Sequence, residues 1–174
     1  MVKYLLHIFL LLAIGFVSCN SQSNNQADKP PKATKEDLIN ANKKLVKSED
    51  QRINDFINRY NWEMTETKTG LRYLIYENGD GHLVKKDNIV MYNYTVKLLT
   101  GELCYSSKEL GPKQFRVGKG GVESGLEEAI LFLKKGDRAK IIIPSHLAFG
   151  LVGDGNKIPA KATLVYDLKL IELK

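Results

Sequence analysis

The sequence predicts an α+β protein: a twisted antiparallel β-sheet wrapped over one short α-helix, with a helical arm in front of it. Three observations carry that expectation. Residues 124–136 hold one short helix with its own start and stop signals, set between extended segments. Residues 163–173 alternate Leu164, Tyr166, Leu168 and Leu170 against Val165, Asp167, Lys169 and Ile171, the period-two pattern of a strand. Residues 34–60 repeat apolar side chains at helical spacing.

The chain opens on Lys3 followed by YLLHIFLLLAIGFV, an apolar run too short for a comfortable membrane span, ending at small Ser18 before Cys19. Residues 1–18 read as a lipoprotein signal peptide, and Cys19 as the lipidated mature N-terminus. An ordinary signal peptide or a short anchor is the alternative. Residues 19–33 are polar and proline-bearing, the composition of a flexible tether.

Residues 34–61 read as the helical arm. Thr34 can cap it, with Asp37 three residues on, and Leu38, Ala41, Leu45, Ile53, Phe56, Ile57 and Tyr60 follow at helical spacing. The polar stretch Lys47–Arg52 weakens the middle and predicts a break into two helices. The apolar stripe serves either packing on the domain or a partner surface, self-association included; both readings stay open.

Residues 62–174 read as the domain. Trp62–Thr67 and Leu71–Glu77 flank Lys68-Thr69-Gly70 as a hairpin, and Asn88–Leu99 alternates before Thr100-Gly101 turns the chain into Leu103–Ser106. The short helix starts with a predicted capping box, Ser124 with Glu127 three residues on. Leu126, Ala129, Ile130 and Leu133 form its stripe, Lys134 and Lys135 suit its negative end, and Gly136 can stop it. Ala139–Ile143 reads as a buried strand.

Composition narrows the function. The formal net charge is +6, but the basic residues are spread, with no stripe interleaved with aromatics, so nucleic acid is not an expected partner. The two cysteines leave Cys104 alone once Cys19 is lipidated, so no intrachain disulfide forms, and Cys104 reads as a small buried hydrophobe. No Cys or His pair has ligand spacing, so no metal or other cofactor is expected. GKGGVESG is glycine-rich but lacks the lysine-serine or lysine-threonine end of a phosphate loop. Ser106, Ser107, Ser145 and His146 lack the sequence surroundings of a nucleophile elbow.

The segment VESGLEEAI…KKGDRAKIIIP…LAFG, then IPAKATLVYDLKLIEL, with the earlier NYTVKLLTGELCYSS, resembles the FKBP-type peptidyl-prolyl cis-trans isomerases over residues 68–173. With the lipoprotein leader, the arm and YSSKELGPKQF, it looks closest to the gliding-motility-associated lipoprotein isomerases of Bacteroidetes. The resemblance implies a peptidyl-prolyl isomerase acting on proline-containing segments of exported proteins. With the leader, it implies a lipid-anchored protein of the cell envelope, at the outer membrane facing the periplasm. The alternative is a non-catalytic lipoprotein chaperone or assembly factor of the motility machinery.

Prolyl isomerisation needs no acid, base or nucleophile, so no catalytic residue in that sense is expected. It needs an apolar, aromatic-lined pocket that binds the twisted amide better than either planar form. The residues that can line one are Tyr94, Phe115, Val122, Leu126, Phe149, Ile158 and Tyr166. The resemblance implies that Tyr94 stands near the pocket entrance and Phe115 at its side. It implies that Val122 and Glu123 precede the helix, with the Glu123 N–H offered to a substrate carbonyl. It puts Phe149 where the family's A-Y-G loop has a tyrosine, Ile158 in the following loop and Tyr166 on the wall. Cys104 and Tyr105 replace the family's common phenylalanine and aspartate, and Leu126 replaces its floor tryptophan. These departures predict reduced or altered isomerase activity and weak binding of macrolide inhibitors.

Overall fold

The computed structural model of the protein describes residues 33–174. The leader 1–18, Cys19 and the tether up to residue 32 lie outside the described residues. Helix α1 spans Lys35–Tyr60 as one continuous helix of 26 residues, not two. The polar stretch that predicted a break is where the helix docks. Glu49, only 7% exposed, accepts hydrogen bonds from the Ser145 N–H at 2.7 Å, the Ser145 hydroxyl at 2.9 Å and the Thr163 hydroxyl at 2.6 Å. Asp50 pairs with Arg72, whose Nη1 also donates to the Gly70 carbonyl at 2.8 Å. One and two turns on, Ile53 and Phe56 pack with Ile142 and Val165 into a second apolar cluster, flanked by Ile57, Trp62, Met64 and Leu99. The first half of α1 is exposed, including Leu38, Leu45 and Val46.

Seven strands form one antiparallel sheet: β1 Thr65–Glu66, β2 Arg72–Glu77, β3 Ile89–Leu98, β4 Leu103–Ser106, β5 Lys113–Arg116, β6 Arg138–Ile143 and β7 Leu164–Leu173. Their order is β1-β2-β6-β7-β3-β4, with β5 also on β3. The expected hairpin forms, with Thr65 opposite Tyr73 and the Gly70 N–H donating to the Thr67 carbonyl at 3.0 Å. Its first strand keeps only two residues of the expected six. Trp62 instead joins Phe56 and Tyr60 in an aromatic group, with ring centroids 5.6 and 5.3 Å away.

Strand β3 organises the site. One edge pairs with β7 from Val90 to Leu98. The other carries β5 opposite Ile89–Tyr92 and β4 opposite Thr95–Lys97, so the two short strands succeed one another. A four-residue helix, α2 (Ser107–Leu110), bridges them. The inward face of β3 therefore presents Tyr92, Tyr94 and Val96, all buried.

Helix α3, Ser124–Ile130, crosses that face. Leu126, Ala129 and Ile130 join Leu133, just past the helix end, against Ala139, Ile141 and Ile143 of β6 and Leu164, Tyr166, Leu168 and Leu170 of β7. The expected β7 alternation holds, and its outer Val165 is buried as well because α1 covers it. Gly125 permits the close approach: a Cβ there would stand 2.4 Å from Ile143 Cγ2.

The capping box does not form. Glu123 holds the cap position, with no side-chain cap bond, and the Ser124 hydroxyl donates to the Leu147 carbonyl at 3.2 Å. Glu127 turns away from the helix start and accepts the N–H groups of Gly118 at 2.6 Å and Gly120 at 2.9 Å. Lys134 and Lys135 lie beyond the helix, in a turn held by buried Asp137. That carboxylate accepts the Lys134 N–H at 2.7 Å and the Gly79 N–H at 2.6 Å.

Candidate functional site: an aromatic cleft between the helix start and the sheet

A cleft of about 700 Å³ opens between β5, the residues before α3 and the loop after β6, lined by Tyr92, Lys113, Val122, Glu123, Ala148 and Phe149 among others. Three of the expected pocket residues, Val122, Glu123 and Phe149, are brought to its lining. Strand β5 ends near the glycine-rich turn, and the Glu127 carboxylate closes that turn on itself, which sets Val122 and Glu123 at the mouth. Phe149 comes from the loop whose two ends, Ser145 and Thr163, are both held by Glu49.

Tyr94, Phe115, Leu126, Ile158 and Tyr166 do not line the cleft; they are buried in the main core cluster. Tyr92 joins them, with its ring 6.0 Å from Phe115 in an edge contact and 5.6 Å from Tyr94. It was not among the expected pocket residues, although it shares the inward face of β3 with Tyr94. Lys113 was missed as well. It stands two residues before Phe115 on β5, and its Nζ lies 5.3 Å from the centroid of the Tyr94 ring.

Two hydroxyls in this layer differ. The Tyr166 hydroxyl donates to Glu123 Oε1 at 2.9 Å. The Tyr94 hydroxyl is buried with no partner among the described residues. Burial raises the pKa of Tyr92, Tyr94 and Tyr166, and the nearby Glu123 carboxylate raises it further, so all three are neutral phenols at ordinary pH. Among the described residues, no backbone carbonyl takes the Glu123 N–H.

Cys104 is buried, its thiol 3.7 Å from the Lys157 carbonyl, and burial above all raises its pKa. Tyr105 neither fills the mouth nor turns wholly to solvent. Its hydroxyl donates to Asp154 in the loop before β7, and Lys157 Nζ stands 5.6 Å over its ring. Asp154 also accepts the N–H groups of Asn156 at 2.9 Å and Ile158 at 2.8 Å. Partial burial would raise its pKa, but the bonds from Tyr105, Asn156 and Ile158 outweigh that and hold it below the usual value. Thus Tyr105, where the resemblance implied a carboxylate, instead binds a carboxylate at position 154. Pairing an outward tyrosine with an aspartate 49 residues away needs the loop path, which spacing does not give.

The serines are engaged elsewhere. Ser145 bonds to Glu49, while His146 Nε2 lies 3.0 Å from the Thr69 carbonyl oxygen, and the Ser107 hydroxyl accepts the Tyr94 N–H at 3.1 Å. A Ser–His pair is not formed by these groups.

Comparison with known proteins gives this architecture its place. The family model for the FKBP-type peptidyl-prolyl cis-trans isomerase matches residues 81–171, over half of the chain. The probable isomerase FkpA of Neisseria meningitidis is 40% identical over 108 residues, covering 62% of this chain and 39% of that protein. FkpA of Escherichia coli is 37% identical over 109 residues, covering 62% and 39%. Thus the chain spans about two fifths of the length of these relatives. Among solved structures, Escherichia coli FkpA superposes with a TM-score of 0.65 at 30% identity, covering 79% of this chain and 64% of that one. AtFKBP13 gives 0.62 at 28% identity, covering 65% and 100%. With the family model matching over half of the chain, across the sheet and the short helix that packs on it, the chain belongs to the family of FKBP-type peptidyl-prolyl cis-trans isomerases.

Proposed function

We propose that the protein catalyses cis–trans isomerisation of peptidyl-proline bonds in exported proteins, while anchored to a membrane by lipid on Cys19. The observation that carries the catalytic reading is the cleft itself. Its lining brings Tyr92, Val122, Ala148 and Phe149 together beside the polar Lys113 and Glu123, and among the described residues the Glu123 N–H at its mouth has no backbone acceptor. The uncatalysed barrier is about 18–20 kcal/mol, set by amide resonance. A twisted amide has lost charge separation, so it gives up less than the planar forms on leaving water for this cleft. The Glu123 N–H would fix the carbonyl before the proline, and Phe149 with the tyrosine layer would hold the ring.

The test is nuclear magnetic resonance exchange on a proline tetrapeptide with purified protein. Acceleration is expected, and Phe149→Ala should lower kcat/KM about tenfold, equal to about 1.4 kcal/mol of transition-state binding. Binding without acceleration would favour the second reading, a holding chaperone or assembly factor. That reading draws support from the exposed apolar side chains Leu38, Leu45, Val46, Leu151 and Val152. Motility components as clients rest only on the subgroup resemblance.

The leader supports the anchor: a cation, an apolar run and a small residue before Cys19. Among the described residues no helix is long and apolar enough to cross a membrane. Each acyl chain adds about 0.8 kcal/mol of membrane affinity per buried methylene, and two chains hold stably. Fatty-acid labelling should mark the wild type and not Cys19→Ser; equal labelling of both rejects the anchor.

A further inference from the structure

The cleft contains a carboxylate that isomerisation itself does not require. Glu123 lines the opening, and its Oε1 accepts one hydrogen bond, from Tyr166 at 2.9 Å. A carboxylate offers about four acceptor sites, so most of this one is open to a ligand. None of the ion pairs among the described residues involves Glu123. Lys113 lines the same cleft, but its ammonium is engaged over the Tyr94 ring. Around the carboxylate stand the rings of Tyr92, Tyr94, Tyr166 and Phe149, whose faces attract cations and whose bulk lowers the local dielectric.

We propose that Glu123 makes the cleft selective for segments with a basic residue next to the proline. The ammonium or guanidinium of that residue would pair with Glu123 while Tyr166 holds the carboxylate in place. Tyr166 is buried and cannot follow a moving carboxylate, so Glu123 is preorganised for this contact. An acidic neighbour meets like charge in the same place and is rejected. This selectivity rests on the isomerase reading above.

Three tetrapeptides that differ only in the residue before proline, lysine, leucine or glutamate, test it by exchange spectroscopy on the full chain. For the wild type, kcat/KM for the lysine peptide should exceed that for the glutamate peptide by about tenfold at low salt, a difference worth about 1.4 kcal/mol. The ratio should fall as salt screens the pair. In Glu123→Gln, which keeps the acceptor for Tyr166, the ratio should shrink to within about threefold, and in Glu123→Lys it should invert. A ratio equal in wild type and Glu123→Gln overturns the proposal. A wild type that accelerates the leucine peptide yet shows no lysine preference overturns the selectivity alone and leaves the isomerase reading standing. If no peptide is accelerated, the isomerase reading fails, and chemical-shift titration of the lysine and glutamate peptides decides the selectivity as a ratio of affinities.

Discussion

Tyr94 has a buried hydroxyl with no partner among the described residues, a group that costs free energy wherever it is not paired. Replacing it by phenylalanine removes that cost and keeps the ring. Tyr94→Phe should therefore raise stability by about 1 kcal/mol in urea unfolding. Asp154 works in the opposite sense. Its folded carboxyl is held below the ordinary value, so its contribution is complete above the ordinary carboxylate range. That contribution is lost as acid protonates the folded group. The protection of the Asn156 and Ile158 amides, exchange measured against the intrinsic rate at each pH, should fall as pH drops below about 4, and Asp154→Asn should flatten that dependence. Protection that is insensitive to pH in the wild type would show that the carboxylate does not hold the loop. At this scale the sequence was legible in kind but not in pairing. Glu127 lies three residues after Ser124, the spacing of a capping box, yet a carboxylate there can equally reach the N–H groups of the preceding turn. Gly118 and Gly120, both at positive φ, point two such groups at it, and that concave pair wins. The glycine-rich run is thus an anion site already filled from within the chain.

Helix α1 shows why an amphipathic pattern can mislead. Periodicity treats a glutamate as solvent-facing, so Glu49 and Asp50 marked a break where the structure has a polar contact between helix and domain. Ser145 and Thr163 are 96 and 114 residues away from Glu49, a proximity that nothing local encodes. Glu49→Ala would leave the Ser145 N–H and the Thr163 hydroxyl without their acceptor, at a cost of about 1–3 kcal/mol. Because both groups bound the loop bearing Phe149, KM for a proline peptide should rise as well. Glu49→Gln, which keeps one acceptor, should recover most of both effects; no difference between the two variants would reduce Glu49 to ordinary packing. Helix α3 was more legible: its stripe Leu126, Ala129, Ile130, Leu133 is the buried set, although the helix ends before Leu133. Its tight seat depends on Gly125. Gly125→Ala should cost about 1–3 kcal/mol through the clash with Ile143, read as a lowered Tm.

For the whole molecule, the fold class and the inward face of each long strand could be read from period-two alternation, because one face of the sheet is buried under α3. The second face could not, because its cover comes from an arm that sequence alone left between packing and partnership. Ile53 and Phe56 meeting Ile142 and Val165 make the second half of α1 part of the folded unit. Removing residues up to 47 should leave Tm nearly unchanged. Removal through Tyr60 should cost about 3 kcal/mol or more, as losing buried large side chains does. Equal melting of the two truncated proteins would show that the docked half contributes nothing. The aromatic group at the end of α1 has an optical consequence. Trp62 is the only tryptophan in the chain, and it sits beside Phe56 and Tyr60 with Lys140 Nζ 5.7 Å over its ring, at the seam between arm and sheet. The cleft lining carries tyrosine and phenylalanine but not this tryptophan. Intrinsic emission excited at long wavelength is therefore a private signal of the seam. It should stay quiet as peptide fills the cleft and shift when the arm lifts, separating two events that tryptophans at both places would blend.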